Sequence, residues 1–221
     1  VNLVMHPNGV EFDIEYKDEK HHVEYHVPGK FSVYNALGAI AAGVLLGVPM
    51  DNILQGIKTV KGVKGRFEPI KTYNGITAIV DYSHTPDSLE NMLNTAREFV
   101  KGRIITVFGC GGDRDKLKRP IMGEIAGRLS DYCIITSDNP RTEDPQTILD
   151  EIEPGTAQTG CKYEKILDRR EAIFRAIKIA EPNDFVAVAG KGHEDYQIFA
   201  DRTIHFDDAE VILDAFKEIE K

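Results

Sequence analysis

Residues Ile104–Pro120 have the sequence IITVFGCGGDRDKLKRP, an apolar run that opens into a glycine-rich turn and then into alternating acids and bases. The β-branched residues Ile104, Ile105 and Val107 are typical of a strand covered on both faces. An open α/β sheet presents its ligand crevice where such strands end. The glycines favour either a ligand loop or a tight strand-to-helix connection that needs glycine for a positive φ.

Polar residues follow three other predicted strands in the same way. From Gly75 onward strands alternate with helices, which predicts an α/β fold with a Rossmann-like, mostly parallel sheet. The carboxyl ends of its strands would meet along one edge, where arginines suit carboxylates and acids suit ammonium groups. The pattern therefore favours a small, zwitterionic, doubly charged ligand. The residues are Asp81, His84, Asp113, Arg114, Asp138, Asn139, Arg141, Lys191, His193 and Glu194.

Helix starts after these strands have recognisable signals. Thr85 is a predicted N-cap with Pro86 at the first helical position, and Asp144–Pro145 repeats this pattern. Asp168 and Glu171 have the spacing of a capping box. The helix after Pro120 is expected to bury one face made of Ile121, Met122, Ile125, Ala126 and Leu129.

The first third of the chain has a different pattern. Val10–Tyr16 and His22–Val27 alternate like a β-hairpin, and Phe31–Val48 predicts an Ala- and Gly-rich helix in which Asn35 could serve as a cap. A second short helix is expected over Met50–Val60. His22 and His26 share a strand face but lack a third metal ligand at a fitting interval, which favours solvated histidines over a metal site.

Composition narrows the class of protein. The 221 residues are 42% hydrophobic and 29% charged, with a net charge of −9, which disfavours nucleic acid or an anionic membrane as a partner. The longest apolar run, Ala36–Val48, is too short to span a bilayer. Cys110, Cys133 and Cys161 lack metal-ligand spacing and are expected to be small buried side chains in a reducing compartment.

Two common nucleotide-binding classes fit poorly. The glycine loop G-C-G-G-D-R-D lacks the G-x-G-x-x-G spacing of dinucleotide dehydrogenases and follows the second strand of its domain. The P-loop pattern G-x-x-x-x-G-K-[ST] is absent from these 221 residues, which disfavours a P-loop kinase.

Five motifs in order give a specific resemblance. They are G-R-F-E at 65–68, D-Y-S-H-T-P at 81–86, F-G-C-G-G-D-R-D at 108–115, D-N-P-R at 138–141 and A-G-K-G-H-E at 189–194. With Asn35 they resemble the Mur ligases, and among these the members that add the third peptide residue to UDP-N-acetylmuramoyl-L-alanyl-D-glutamate. The resemblance implies an ATP-dependent amide ligase of peptidoglycan precursor synthesis in the bacterial cytoplasm, and it implies a monomer.

Members of this family have a uridine-nucleotide domain, a central ATPase domain and a Rossmann-like C-terminal domain. The resemblance implies that residues 1–66 are the end of the central domain and residues 67–221 the amino-acid-binding domain. The chain begins at Val1 and lacks the family's P-loop, so we expect a fragment and assign it no catalytic residue. ATP and Mg²⁺ would be bound mainly by the absent part, and no metal ligand is assigned here.

The resemblance also implies roles for individual residues. Asn35 matches the adenine-side asparagine, Arg66 the arginine that closes on the phosphates, and Asp81 the acid that takes the ribose hydroxyls. Arg66 could instead be a linker charge, and His84, beside the same nucleotide, could instead orient the following turn. The positions matching the amino-acid site are Arg114, Asp138, Asn139, Arg141, Gly190 and Glu194.

In the family, D-N-P-R accompanies meso-diaminopimelate, whose second carboxylate a guanidinium can hold with two hydrogen bonds. In the implied reaction, ATP phosphorylates the terminal carboxylate of the dipeptide to give an acyl phosphate. The amine of diaminopimelate then attacks this acyl phosphate. Lanthionine or a similar diamino diacid is an open alternative ligand. A stand-alone amino-acid-binding module and a folylpolyglutamate synthase are the alternative classes of protein.

Overall fold

The computed structural model describes residues 2–6 and 9–220. The chain forms two compact units, Val1–Val63 and Lys64–Lys221. Their division lies three residues before the boundary predicted after Arg66. The assignment of the first unit to the end of an ATPase domain stays a prediction.

The first unit is a three-stranded antiparallel sheet with two helices. Strands β1 (Val4–His6), β2 (Gly9–Tyr16) and β3 (Glu19–Tyr25) pair in that order, which confirms the predicted hairpin. Helices α1 (Lys30–Leu45) and α2 (Met50–Thr59) follow. Alternate strand residues and one stripe of each helix form the core, which consists of Val10, Phe12, Val23, Ala36, Ile40, Ile53 and Ile57.

Asn35 does not cap this helix. Helix α1 begins at Lys30, and Gly29 occupies the N-cap position without a side-chain hydrogen bond. Asn35 is exposed in the second turn, so the capping alternative is wrong. On β3, His22 Nδ1 lies 3.0 Å from the Asp13 carboxylate Oδ1.

The second unit is built on a six-stranded sheet. Its strands are β4 (Glu68–Tyr73), β5 (Ile76–Asp81), β6 (Ile104–Phe108), β7 (Tyr132–Ile135), β8 (Lys162–Lys165) and β9 (Phe185–Ala189). The spatial order is β4-β5-β9-β6-β7-β8, with β4 antiparallel to β5 and the other pairs parallel. The predicted mostly parallel α/β sheet is thereby confirmed, and β9 inserts between two strands that precede it in sequence.

Helices cover both faces of this sheet. On one face α3 (Pro86–Arg97), α4 (Lys118–Leu129) and α5 (Pro145–Ala157) pack against alternate strand residues, and on the other α6 (Arg169–Ile179) and α7 (Asp208–Ile219) do so. Every residue of β6 and β9 is buried, as expected for a continuous apolar run with helices on both sides.

Local signals agree with the helix starts. Thr85 and Ser88 form a reciprocal capping box on α3, and Asp144 caps α5. Asp168 accepts a hydrogen bond from the backbone of Glu171 at the start of α6. Ile121, however, is 49% exposed on α4, so its predicted place in the buried face is wrong.

The cysteines are packed as the sequence indicates. Cys110 and Cys133 are buried and Cys161 is half-buried, and all three are free thiols. Burial raises the pKa of Cys110 to about 12, which keeps this thiol protonated at neutral pH. Among residues 2–6 and 9–220, no helix has both the length and the apolar character to cross a bilayer.

Candidate functional site

The carboxyl ends of β5, β9, β6 and β7 surround a cavity of about 550 Å³. A parallel sheet places these ends on one edge, and β9 lies at its centre between β5 and β6. All six residues predicted to hold an amino acid line this cavity, together with His84. The six are Arg114, Asp138, Asn139, Arg141, Gly190 and Glu194.

The glycine-rich turn brings the loops after β6 and β7 together. A Cβ on Gly109 would lie 2.1 Å from the Thr136 carbonyl oxygen, and one on Gly112 would lie 1.9 Å from that of Pro140. Neither glycine has a positive φ, nor does Gly111, so the explanation by positive φ is wrong. Gly109 and Gly112 are required because two backbones approach closely beside the cavity.

Arg141 presents a guanidinium without an acidic partner. Its backbone has a left-handed φ of 52°, and its N–H donates to the Ile198 carbonyl at 3.0 Å. The half-buried guanidinium donates to the Gly112 carbonyl at 2.9 Å. No carboxylate of the described residues lies within 4 Å of it, so its charge is available to an anionic ligand.

Arg114 supplies a second cation at the cavity wall. Its guanidinium is exposed and donates to the Asp113 carbonyl at 3.0 Å. Like Arg141, it forms no ion pair within the part of the chain that the structure describes. Two guanidinium groups therefore line one cavity.

Asp138 brings a negative charge to the cavity, opposite in sign to the two guanidinium groups, and Gly190 leaves room for it. The Asp138 carboxylate is 8% exposed, and its Oδ1 accepts from the Asn139 N–H at 2.6 Å. Gly190 has a φ of 120°, and a Cβ there would lie 2.6 Å from Asp138 Oδ2. The glycine therefore leaves room for this carboxylate oxygen at the cavity wall.

Glu194 is held in a hydrogen-bonded network with Asn139 and Lys191. Asn139 Nδ2 donates to Glu194 Oε2 at 2.8 Å, and Lys191 Nζ donates to the same oxygen at 3.3 Å. Lys191 and Asn139 are buried, whereas Glu194 is only partly so. The Glu194 side chain therefore lines the cavity while hydrogen bonds from two buried side chains hold it in place.

Outside the cavity lining, a further acidic residue, Glu143, joins the loops after β6 and β7. Glu143 accepts from the buried guanidinium of Arg119 at 2.9 and 3.0 Å and from the Asp113 N–H at 2.6 Å. These bonds, chiefly those from Arg119, lower the pKa of Glu143 to about 2. Thr142 also donates to the Asp113 carboxylate at 2.7 Å.

A buried ion pair supports the loops after β7 and β9. Arg169 donates to both carboxylate oxygens of Asp208, at 2.8 and 2.7 Å, and neither side chain is exposed. The same guanidinium donates to the Ser137 carbonyl at 3.3 Å and to the Ala189 carbonyl at 3.1 Å. These carbonyls precede Asp138 and Gly190, so the pair fixes the backbone of both.

The sequence does not indicate Arg119, Arg169 or Asp208 as parts of the site's support. Lys191 is predicted among the ligand-facing residues of the sheet edge, but it is fully buried and does not line the cavity, so that prediction is wrong. Charged residues are seldom fully buried, so nothing in their local pattern indicates burial. Arg169 directly follows the capping residue Asp168, and this local pattern predicts only a helix start. The capping signal was correct but incomplete.

The residues predicted to bind a nucleotide are arranged differently. Asp81 is 8% exposed and lies outside the cavity lining, and its oxygens accept from the Phe67 N–H at 2.6 Å and from the Ser83 hydroxyl. Burial raises the pKa of Asp81, while these two hydrogen bonds act in the opposite direction. Its carboxylate therefore already anchors the start of the second unit.

Arg66, His84 and His193 gather on the ring of Tyr82. The Arg66 guanidinium carbon lies 4.7 Å from the ring centroid, and the imidazoles of His84 and His193 lie 4.6 and 5.1 Å away. The exposed Arg66 forms no ion pair within residues 2–6 and 9–220, so it can receive an anion. Asn35 belongs to the other unit and is exposed on α1.

These features define an α/β domain whose sheet edge holds a cavity lined by side chains of both charges. A family model described as Mur ligase, glutamate ligase domain, matches residues 65–192. The chain belongs to the Mur ligase family.

Curated relatives agree with this family. The chain is 54% identical over 220 residues to the UDP-N-acetylmuramoyl-L-alanyl-D-glutamate–2,6-diaminopimelate ligase of Clostridium botulinum. The match covers 99% of this chain and 45% of that protein. The chain therefore spans about half the length of the curated relatives it matches.

Solved structures give the same picture. A structure titled UDP-N-acetylmuramoyl-L-alanyl-D-glutamate–2,6-diaminopimelate ligase superposes with a TM-score of 0.74 at 35% identity, covering 100% of this chain and 45% of that one. The MurF ligase of Thermotoga maritima in complex with ADP superposes with a TM-score of 0.65, covering 100% of this chain and 46% of that one. Its 16% identity shows the shared fold alone.

Proposed function

We propose that this chain is the amino-acid-adding part of an ATP-dependent ligase that joins meso-diaminopimelate to UDP-N-acetylmuramoyl-L-alanyl-D-glutamate. The observation that carries the proposal is the cavity at the sheet edge. It combines the guanidinium groups of Arg114 and Arg141 with the carboxylates of Asp138 and Glu194. The names of the similar ligases support the same substrates.

The chemistry of the cavity favours a diamino diacid over a simple amino acid. Meso-diaminopimelate has an ammonium and a carboxylate at each end, so each end needs a donor and an acceptor. Arg141 has no acidic partner among the described residues, and a ligand without a distal carboxylate would leave this charge unpaired. L-Lysine is such a ligand, and we expect the cavity to reject it.

ATP would supply the phosphoryl group that activates the terminal carboxylate of the dipeptide as an acyl phosphate. In this chain Arg66, exposed above Tyr82, is the group best placed to receive a phosphate, and His84 lies on the same ring. Asp81 fits a ribose less well, because both of its oxygens already accept internal hydrogen bonds. The proposal keeps Asn35 as an adenine contact from the first unit.

Mg²⁺ is assigned no ligand in this chain. Within residues 2–6 and 9–220, no group of three or more His, Cys, Asp or Glu side chains is arranged to hold a metal ion. In the proposal, the metal and the P-loop belong to the part of the relatives' length that this chain does not cover.

The residues of this chain would position the nucleophile. Asp138 and Glu194 would accept hydrogen bonds from the reacting ammonium group and could take the proton that it loses, while Arg114 and Arg141 would hold the carboxylates. The amine nitrogen then attacks the acyl carbon, and the tetrahedral intermediate collapses with loss of phosphate. Fixing the amine on a rigid sheet edge lowers the entropic part of the barrier.

Calorimetric titration of this chain with meso-diaminopimelate, L-lysine and D-glutamate tests the proposal. We expect diaminopimelate alone to bind. Arg141→Ala should weaken its affinity at least tenfold, about 1.4 kcal/mol, since one charge-assisted hydrogen-bonding partner is lost.

Arg170→Ala is the matched control. Arg170 is an exposed arginine that packs on Phe174 of α6 at 4.6 Å, away from the cavity, and its removal should leave the affinity unchanged. Equal binding of L-lysine and diaminopimelate would show that Arg141 does not select the distal carboxylate. Preferential binding of D-glutamate would assign the cavity to a different ligase of the family.

A further inference from the structure

Lys191 is a fully buried lysine at the base of the cavity. Its ammonium donates to Asn139 Oδ1 at 3.2 Å, to Glu194 Oε2 at 3.3 Å and to the Tyr196 carbonyl oxygen. It also lies 5.3 Å from the centroid of the Tyr196 ring. The side chain has no exposed surface and does not line the cavity.

Burying an ammonium group is costly unless its charge and its hydrogens are matched. Lys191 has three N–H donors, and the three oxygens around it accept them all. No donor is left for a ligand, so Lys191 can act on one only through the residues it touches. Two of these, Asn139 and Glu194, line the cavity.

The network determines how both side chains are oriented. Asn139 Oδ1 accepts from Lys191 and from the Ile198 N–H at 3.0 Å, which leaves Nδ2 to donate to Glu194 Oε2 at 2.8 Å. Glu194 Oε2 thereby receives two donors. Its Oε1 has no hydrogen-bond partner among the residues that the structure describes.

We propose that Lys191 is a positioning residue of the amino-acid site, one that fixes the Asn139 amide and directs Glu194 Oε1 toward the ammonium group of the ligand. The effect on ligand binding rests on the function proposed above. The effect on Asn139 does not, because the Ile198 N–H reports the position of Asn139 Oδ1 without any ligand.

The variant Lys191→Met keeps the length of the side chain and removes its charge. We expect exchange of the Ile198 amide hydrogen to accelerate at least tenfold, while the buried amides of β6 keep their protection. The dissociation constant for meso-diaminopimelate should rise at least tenfold. Lys162→Met, which removes an exposed lysine on β8, is the matched control and should change neither quantity.

A double-mutant cycle with Glu194→Gln separates positioning from general destabilisation. If Lys191 acts through Glu194, Lys191→Met should weaken binding little further once Glu194 is already Gln. Losses that multiply in the double variant would overturn the proposal, as would unchanged Ile198 exchange and affinity in Lys191→Met.

Two further results remain decisive. If the unsubstituted chain does not bind diaminopimelate, the proposed function fails, whereas Ile198 exchange still decides whether Lys191 orders the loop. If Lys191→Met also loses protection in β6, Lys191→Gln, which keeps a donor without the charge, replaces it in the same measurements.

Discussion

Gly190 is the residue at which the backbone and the ligand site constrain each other most directly. Its φ of 120° is unfavourable for any side chain, and a Cβ would lie 2.6 Å from Asp138 Oδ2. We expect Gly190→Ala to destabilise the second unit by about 1–3 kcal/mol and to weaken diaminopimelate binding at least tenfold, as Asp138 is displaced.

The control variant Gly160→Ala separates the effect of backbone strain from the effect of displacing Asp138. Gly160 also has a positive φ, of 75°, but no atom lies within 4 Å of its Cβ position. Thermal unfolding should show a loss of about 1 kcal/mol for this control, and calorimetry should show unchanged affinity. Equal affinity of both variants would mean that Asp138 is not held by the space at residue 190.

At the residue scale, the sequence pattern predicts the polar residues that face the cavity, but it does not distinguish them from a buried neighbour such as Lys191. Arg141 and Glu194 lie in the loops that follow β7 and β9, so the rule that ligands bind at the carboxyl edge locates them. Lys191 contacts the near residues Glu194 and Tyr196, but it also donates to Asn139, 52 positions before it. Arg169 pairs with Asp208, 39 positions beyond it. Local patterns carry no information about such pairings.

At the scale of elements, Glu143 joins the loops after β6 and β7. Its pKa of about 2 lies below the ordinary value of 4.5, so its hydrogen bonds stabilise the fold above about pH 4.5 and are lost as the pH falls toward 2. This shift corresponds to about 3 kcal/mol. We expect Glu143→Gln to cost stability of that order at pH 7, with the difference from the unsubstituted chain shrinking as the pH falls.

Urea unfolding between pH 2 and 7, with exchange of the buried β6 amides as the probe, measures this dependence. Glu98→Gln, which removes an exposed carboxylate just after α3, should change stability by no more than about 0.5 kcal/mol. A constant difference between Glu143→Gln and the unsubstituted chain across this range would contradict the assigned role of Glu143.

Helices and strands could be predicted where the local residue pattern and the packing of the folded chain favour the same structure. Strand β6 forms where the apolar run from Ile104 predicts it, and its neighbour β9 is likewise a continuous apolar run. Three short or edge strands, β1, β4 and the β10 strand (Tyr196–Ile198) that pairs with β11 (Thr203–His205), were not predicted. Their pairing depends on partners rather than on their own pattern, and β10 holds Arg141 through the Ile198 carbonyl.

At the scale of the whole molecule, the second unit carries the whole cavity that we propose as the amino-acid site. Its four loops, their glycine contacts and the buried pairs beneath them all lie within Lys64–Lys221. The predicted partners of the nucleotide divide between the units, since Asn35 lies in the first and Arg66 in the second. We therefore expect this chain to bind the amino acid even if it has no ligase activity by itself.

The most direct test of this account is a ¹⁵N–¹H correlation spectrum of the chain titrated with meso-diaminopimelate. We predict that the shifted amides cluster in three segments of the cavity wall, 111–114, 138–141 and 190–194. Shifts concentrated instead in the groove between α4 and α5, around Glu124, Arg128 and Gln158, would place the ligand elsewhere and contradict the account.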